Sequence, residues 1–270
     1  MAGRIVTITS GKGGVGKTTT TGNLGVALAK LHKRTVCLDL DIGLRSLDLV
    51  LGLESRIIYD LMDVIEGRVR WQQALVSATR TEGVFLLPAS QWHEKSDVTA
   101  GQIGKLCRHL SEEFDFVLID CPAGIEEGFK NAIAPADEII IVTTPDVPAV
   151  RGADRVVGIL ESIKKPAPSL ILNRVLDLPS RQGLILDTPD VLEILGLDLI
   201  GLIPEDPSVI VDTSMGTPAV LSKRSAAGAA LTDIARRLLG ESIPFTPPGA
   251  LNWLERILST VGNPFDRHNR

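Results

Sequence analysis

An α/β fold with a mostly parallel central sheet and helices on both faces is what this sequence predicts, and three observations predict it. Short apolar runs of strand length alternate with segments of helical spacing along most of the 270 residues. The first run, Ile5 to Ile8, leads directly into a glycine-rich loop and then a helical segment. Later runs end in Asp39, Asp120 and Asn173, polar residues at the strand ends where open α/β sheets bind ligands.

Arg4 to Thr9 reads as a buried parallel strand. Gly11-Lys12-Gly13-Gly14-Val15-Gly16-Lys17-Thr18 follows and opens a helix over 17–31, with Leu24, Leu28 and Leu31 as its core-facing stripe. Glycines let the backbone curl so that successive N–H groups face one point, and the helix start adds the positive end of its dipole there. This is a P-loop pattern. In it Lys17 reaches the β- and γ-phosphates of a nucleotide and the Thr18 hydroxyl holds Mg²⁺, with Thr19 beside them in a run of threonines that favours a capped helix start. A glycine-rich turn without ligand is the bland alternative, and the strand before and helix after argue against it. Lys12 adds a second cation just after the first glycine, a position where ordinary P-loops tolerate many residues.

Thr35 to Leu40 is the next strand, and alternation along it places Asp39 and Asp41 on one side, facing the crevice at the carboxyl edge of the sheet. Two carboxylates there can hold metal-bound water or orient an attacking one, while a turn cap remains open for Asp41. Arg45 and Asp48 continue a loop of switch character, with Asp48 a candidate contact to a neighbouring subunit's ligand. Residues 52–77 read as short helices in which Tyr59 and Trp71 pack, 84–87 as a buried strand, and Ala89-Ser90-Gln91 as a segment lining the crevice. A helix over 98–112 leads to a strand over 116–119 ending in Asp120, the Walker B arrangement, with Asp120 reaching Mg²⁺ through water.

A strand over 138–143 precedes Pro145-Asp146-Val147-Pro148 and a helix whose Arg151, Asp154 and Arg155 share an exposed face. A solvated, salt-bridged face fits that pattern. A strand over 169–173 ends in Asn173, whose amide can both give and accept a hydrogen bond at an adenine edge, and the last strand ends in Ile203-Pro204-Glu205-Asp206. Packing is expected from 183–198 and from a helix over 223–240.

Composition narrows the class. Hydrophobic residues make up 44% and charged residues 23%, the balance of a folded globular chain, and the net charge is −5 with no lysine and arginine block of the kind that grips duplex DNA. The three cysteines, Cys37, Cys107 and Cys121, are far apart without metal-like spacing and read as buried small hydrophobes in a reducing compartment. No apolar run approaches the roughly 20 residues that a membrane-spanning helix needs.

Proline and glycine at 241–249 separate a core domain, 1–240, from a C-terminal segment, 250–270. In that segment Leu251, Trp253, Leu254, Ile257, Leu258 and Val261 fall within one half of a helical wheel with Ala250. The stripe suits either the protein's own core or the headgroup boundary of a membrane. Its burial is worth some 5–10 kcal/mol, and ordering the segment costs at least as much, so one tail binds lipid marginally while two tails on a dimer gain about 10²–10⁴ by avidity.

Taken together, K-G-G-x-G-K-[ST] with its early Lys12, the Asp39-Leu40-Asp41 motif, Asp120-Cys121-Pro122-Ala123-Gly124-Ile125-Glu126 and the tail resemble the ParA/MinD family of deviant Walker A ATPases, nearest its bacterial division-site members. The resemblance spans nearly the whole chain. It implies a P-loop NTPase fold, and an ATP-driven homodimer in which Lys12 reaches the partner's nucleotide. It also implies Asp41 positioning the hydrolytic water, Asp39 supporting it near the metal, and Asn173 and Pro204 to Asp206 holding the base. The helix bearing Arg151, Asp154 and Arg155 then meets a MinC-like division inhibitor and a MinE-like ATPase activator. The tail meets anionic lipid, giving a cytoplasmic protein that is peripheral on the inner membrane when ATP-bound and that places the division septum. The tail departs from the usual pattern in pairing Glu255 with a single Arg256, which weakens attraction to anionic lipid. Rival readings are a DNA partition ATPase of the same family, disfavoured by the acidic balance, and a nucleotide-binding scaffold with little turnover. An iron–sulfur carrier is disfavoured because Cys37 and Cys121 do not form a ligating set.

Overall fold

In the computed structural model, residues 2–176 and 185–245 are described. In chain order the elements are β1 (Arg4–Thr9), α1 (Lys17–Lys30), β2 (Thr35–Asp39), α2 (Leu47–Leu51), α3 (Leu61–Ile65), α4 (Trp71–Ala74), β3 (Val76–Ser77) and β4 (Val84–Leu87). They continue as α5 (Ala100–Glu113), β5 (Phe116–Asp120), α6 (Glu127–Ile133), β6 (Glu138–Thr143), α7 (Val147–Ser162), β7 (Ser169–Val175), α8 (Thr188–Leu195), β8 (Asp198–Pro204), α9 (Ser208–Ser214) and α10 (Ala226–Leu238).

The strands form one sheet in the order β3-β4-β2-β5-β1-β6-β7-β8, parallel throughout except for the β3–β4 pair at one edge. Every parallel strand therefore delivers its carboxyl end to the same rim. β1 lies between β5 and β6, so the loop after β1 enters at the middle of that rim.

Alternating side chains explain why the strands read as unbroken apolar runs. Ile5, Val36, Leu38 and Ile119 join the layer beneath α5, α6 and α7, while Val6, Ile8, Cys37 and Leu118 join the layer with α1 and α10. Both faces are covered, as parallel sheets require. The three cysteines are buried as expected, and burial pushes each thiol up to about 12, which leaves them inert.

Residues 52–77 form the expected short helices, a 3-10 turn at Glu54–Arg56 followed by α3 and α4, and differ only in closing with the edge strand β3, whose two residues are too few to show a period. α6 and α9 have no counterpart among the expected elements; each is a single short helix whose apolar residues cannot define a stripe. After α10 the chain stays against it: the Arg237 guanidinium donates to the carbonyls of Ile243 and Pro244 and lies 4.2 Å over the Phe245 ring. Among the described residues no helix is long and apolar enough to cross a membrane.

Candidate nucleotide site

Gly14 and Gly16 take left-handed backbone angles, φ 77° and 98°, and turn the chain from β1 into α1. Gly16 is the N-cap of α1 and makes no side-chain cap bond, so the amides of the first turn are left facing the rim. The threonine run does not cap the helix as expected. Instead the Thr21 hydroxyl donates to Lys17 O at 3.0 Å and to Asp120 Oδ1 at 3.2 Å, because Thr21 lies a full turn inside the helix. Lys17 is buried at 8% exposure, and the Thr18 hydroxyl sits against Asp120.

β2 and β5 place Asp39 directly opposite Asp120, both fully buried. Burial pushes both carboxyls up; the Asp39 charge raises Asp120 further, and the Asp41 charge raises Asp39. Asp39 has its oxygens in use: Oδ1 accepts from the Asp41 N–H at 2.9 Å, and Oδ2 from the N–H groups of Ser46 and Leu47 at 3.2 and 3.1 Å. Three backbone N–H groups thus commit the carboxylate to organising the 40–47 loop. Asp120 is different, because its Oδ2 has no partner despite being buried. That orphan oxygen, beside the Thr18 hydroxyl and the open amides of the cup, is the hard-oxygen donor set that suits Mg²⁺ shared with phosphate and water.

Asp41 does not follow Asp39 by alternation, because the strand ends at Asp39. Its carboxylate instead meets the Lys95 amine at 2.8 Å. Asp48 is also corrected: at 2% exposure and paired with Arg45 Nε at 2.9 Å, it is an interior anchor rather than a group reaching toward another subunit. Lys12 is not free in solvent. Its amine lies 3.1 Å from Asp146 Oδ1, and Asp146 also caps α7 through the Ala149 N–H. Burial works to raise the Asp146 carboxyl, but bonds from Thr144, Lys12 and Ala149 outweigh it and hold the group below the usual range.

At the far end of the rim Gly16, Thr19, Asn173, Arg174, Pro204 and Glu205 line one pocket, so the residues expected to hold the base do converge. Asn173 Nδ2 donates to Val15 O at 2.8 Å, tying the pocket to the phosphate cup. Asp206 faces inward: its oxygens accept from the Ser208 N–H and hydroxyl, the Ser225 hydroxyl and the Ala227 N–H. Its carboxylate therefore joins β8 to α10, and only its backbone remains for a base. On α7, Arg151, Asp154 and Arg155 are all exposed, and none is in an ion pair among the described residues.

Residues 3–174 match a protein family described as an AAA domain. The septum site-determining protein MinD of Bacillus subtilis is 48% identical over 244 residues, covering 90% of this chain and 91% of that protein. This chain belongs to the MinD family. Among solved structures, a chain of the MinC:MinD cell division protein complex of Aquifex aeolicus superposes with a TM-score of 0.84 at 45% identity, covering 90% of this chain and 98% of that one. MinD of Pyrococcus horikoshii complexed with Mg-ADP superposes with a TM-score of 0.78 at 32% identity, covering 87% and 95%.

Within this MinD-family chain, Lys95, Asp146 and Thr21 hold the site together and were not singled out as site residues in the sequence. Asp146 carried a usable signal, an aspartate two residues before Pro148, the pattern of a helix N-cap. Lys95 carried none, since its partner is 54 positions away along the chain. The apolar stripe from Leu251 to Val261 expected to meet a membrane, and residues 246–249, lie outside the described residues.

Proposed function

We propose that this MinD-family protein is a Mg-dependent ATPase that dimerises on ATP, associates with the inner membrane through residues 250–261 and places the division septum by recruiting an inhibitor of division-ring assembly. The observation that carries the reading is a single rim presenting two P-loop lysines, the orphan oxygen of Asp120 and the Asp41 carboxylate around the open start of α1. Its relatives are named for septum placement, and one was solved with MinC.

The α1 amides and Lys17 take the β- and γ-phosphates, and Asn173 with the backbone of Pro204 to Asp206 takes the base. Thr18 and Asp120 would hold Mg²⁺, which would neutralise charge on the phosphate oxygens when bound. Asp41 accepts a hydrogen bond from the water that attacks the γ-phosphorus in line. The bond to the β-bridging oxygen breaks, and ADP and inorganic phosphate result. Lys12 exchanges Asp146 for the partner subunit's γ-phosphate, where its charge offsets what builds up in the transition state. That exchange exposes the start of α7, so the face with Arg151, Asp154 and Arg155 reports the dimer to a MinC-like inhibitor and a MinE-like activator.

The test is sedimentation with anionic vesicles in ATP and in ADP, beside a truncation ending at Pro248 and Lys12→Ala. ATP-dependent pelleting that both changes abolish supports the reading. Pelleting that ignores nucleotide, or survives truncation, overturns it.

A further inference from the structure

Lys95 stands where the two loops flanking the nucleotide rim meet. It opens a short 3-10 turn, Lys95–Asp97, closed by the Glu94 N–H on Asp97 Oδ2 at 2.9 Å. The same loop is pinned to the sheet by Ser90 Oγ, 2.8 Å from His93 Nδ1, while the Ser90 carbonyl accepts from the Gly43 N–H at 2.8 Å. The base of the side chain is thus tied to the loop that carries Asp41.

Its stem runs across α6. A methyl group added at Gly128 would stand in ordinary contact with Lys95 Cδ at 3.4 Å but only 2.8 Å from Pro122 Cγ, so the stem passes close over Gly128, beside the proline that follows the Walker B strand. Its amine then reaches Asp41 Oδ1 at 2.8 Å.

The backbone of Asp41 is already fixed on both sides: its N–H is held by Asp39, and its carbonyl accepts from Leu44 and Arg45 at 3.1 Å. What remains free is the rotation of the carboxylate, and Lys95 is the group that takes it up. An ion pair at this length on one oxygen holds the carboxylate and leaves the other oxygen available to water.

We infer that Lys95 is a positioning residue for hydrolysis: it sets the orientation of the Asp41 carboxylate and, through its stem on Gly128, links that orientation to the loop after Asp120. The inference rests on the proposed role of Asp41 in orienting the attacking water. Misplacing such a group by about 1 Å can cost up to about 10²-fold in rate without touching ground-state binding.

The experiment measures single-turnover hydrolysis of Mg-ATP with vesicles present, ATP affinity, and ATP-driven dimerisation by light scattering, for Lys95→Met, Lys95→Arg, Gly128→Ala and Asp41→Asn. Lys95→Met should lower the hydrolytic rate constant about 10- to 100-fold with affinity and dimerisation unchanged. Lys95→Arg should recover most of the rate, and Lys95→Met added to Asp41→Asn should slow it no further. Gly128→Ala, whose added methyl group presses on Pro122 beside the stem and keeps the amine, should give a smaller loss of the same kind, and it carries the test if Lys95→Met does not fold. Unchanged or faster hydrolysis in Lys95→Met, or a loss confined to affinity or dimerisation, overturns the inference while the Asp41 reading stands. Normal turnover in Asp41→Asn overturns that reading itself.

Discussion

The phosphate cup is made from one contiguous run, 11–19, whereas the base pocket facing it draws on β7, β8, α9 and α10, which the chain reaches more than 150 residues later. In the cup the binding groups are backbone amides and lysines whose positions follow from glycine angles and a helix start. In the pocket they are held by tertiary bonds such as Asp206 to Ser225 and Ala227. A local motif can be rigid with little help from the rest of the fold, and an assembled pocket is only as well placed as the elements that frame it.

The largest expected effect separates the two regions outright. Lys17→Ala removes the cup's buried cation and should weaken Mg-ATP binding about 100-fold in a fluorescent-nucleotide titration. A loss below tenfold would mean that the amides alone carry the phosphates. Asn173→Ala should act from the other side, reducing the preference for ATP over GTP about tenfold while tripolyphosphate competes almost as well as before. Equal weakening of ATP, GTP and tripolyphosphate would show that Asn173 serves the cup through Val15 instead.

Gly16→Ala tests the seam between the regions. The added methyl group would sit 2.3 Å from Asn173 Nδ2, on a residue at φ 98°. The left-handed backbone alone costs about 1–2 kcal/mol, so the melting temperature without nucleotide should fall by about 5 °C. An unchanged melt would mean that the loop relaxes freely.

The smallest effect concerns the carboxylate pair beneath the cup. Because Asp120 holds its proton more tightly when folded than unfolded, the native state binds more protons just above the ordinary carboxylate range, and stability falls as pH rises toward neutrality. Asp120→Asn removes that repulsion. It should raise the melting temperature of the nucleotide-free protein by about 2–4 °C at pH 8, with the gain shrinking near pH 4 where both carboxyls are protonated. A lower melting temperature at pH 8 would mean that the charge is compensated.

The sequence by itself determined the sheet class, the glycine loop between β1 and α1, the strand ends carrying Asp39, Asp120 and Asn173, and the burial of the three cysteines. Each of these is a local matter of period, turn chemistry or residue size. Only the tertiary structure decided which carboxylates are already engaged, that Lys12 rests on Asp146 and Asp41 on Lys95, and that Asp48 and Asp206 face inward. The physical reason is that a charged side chain takes the partner that packing brings within about 3 Å, and nothing in a chain's local pattern encodes a neighbour 50 or 130 residues away.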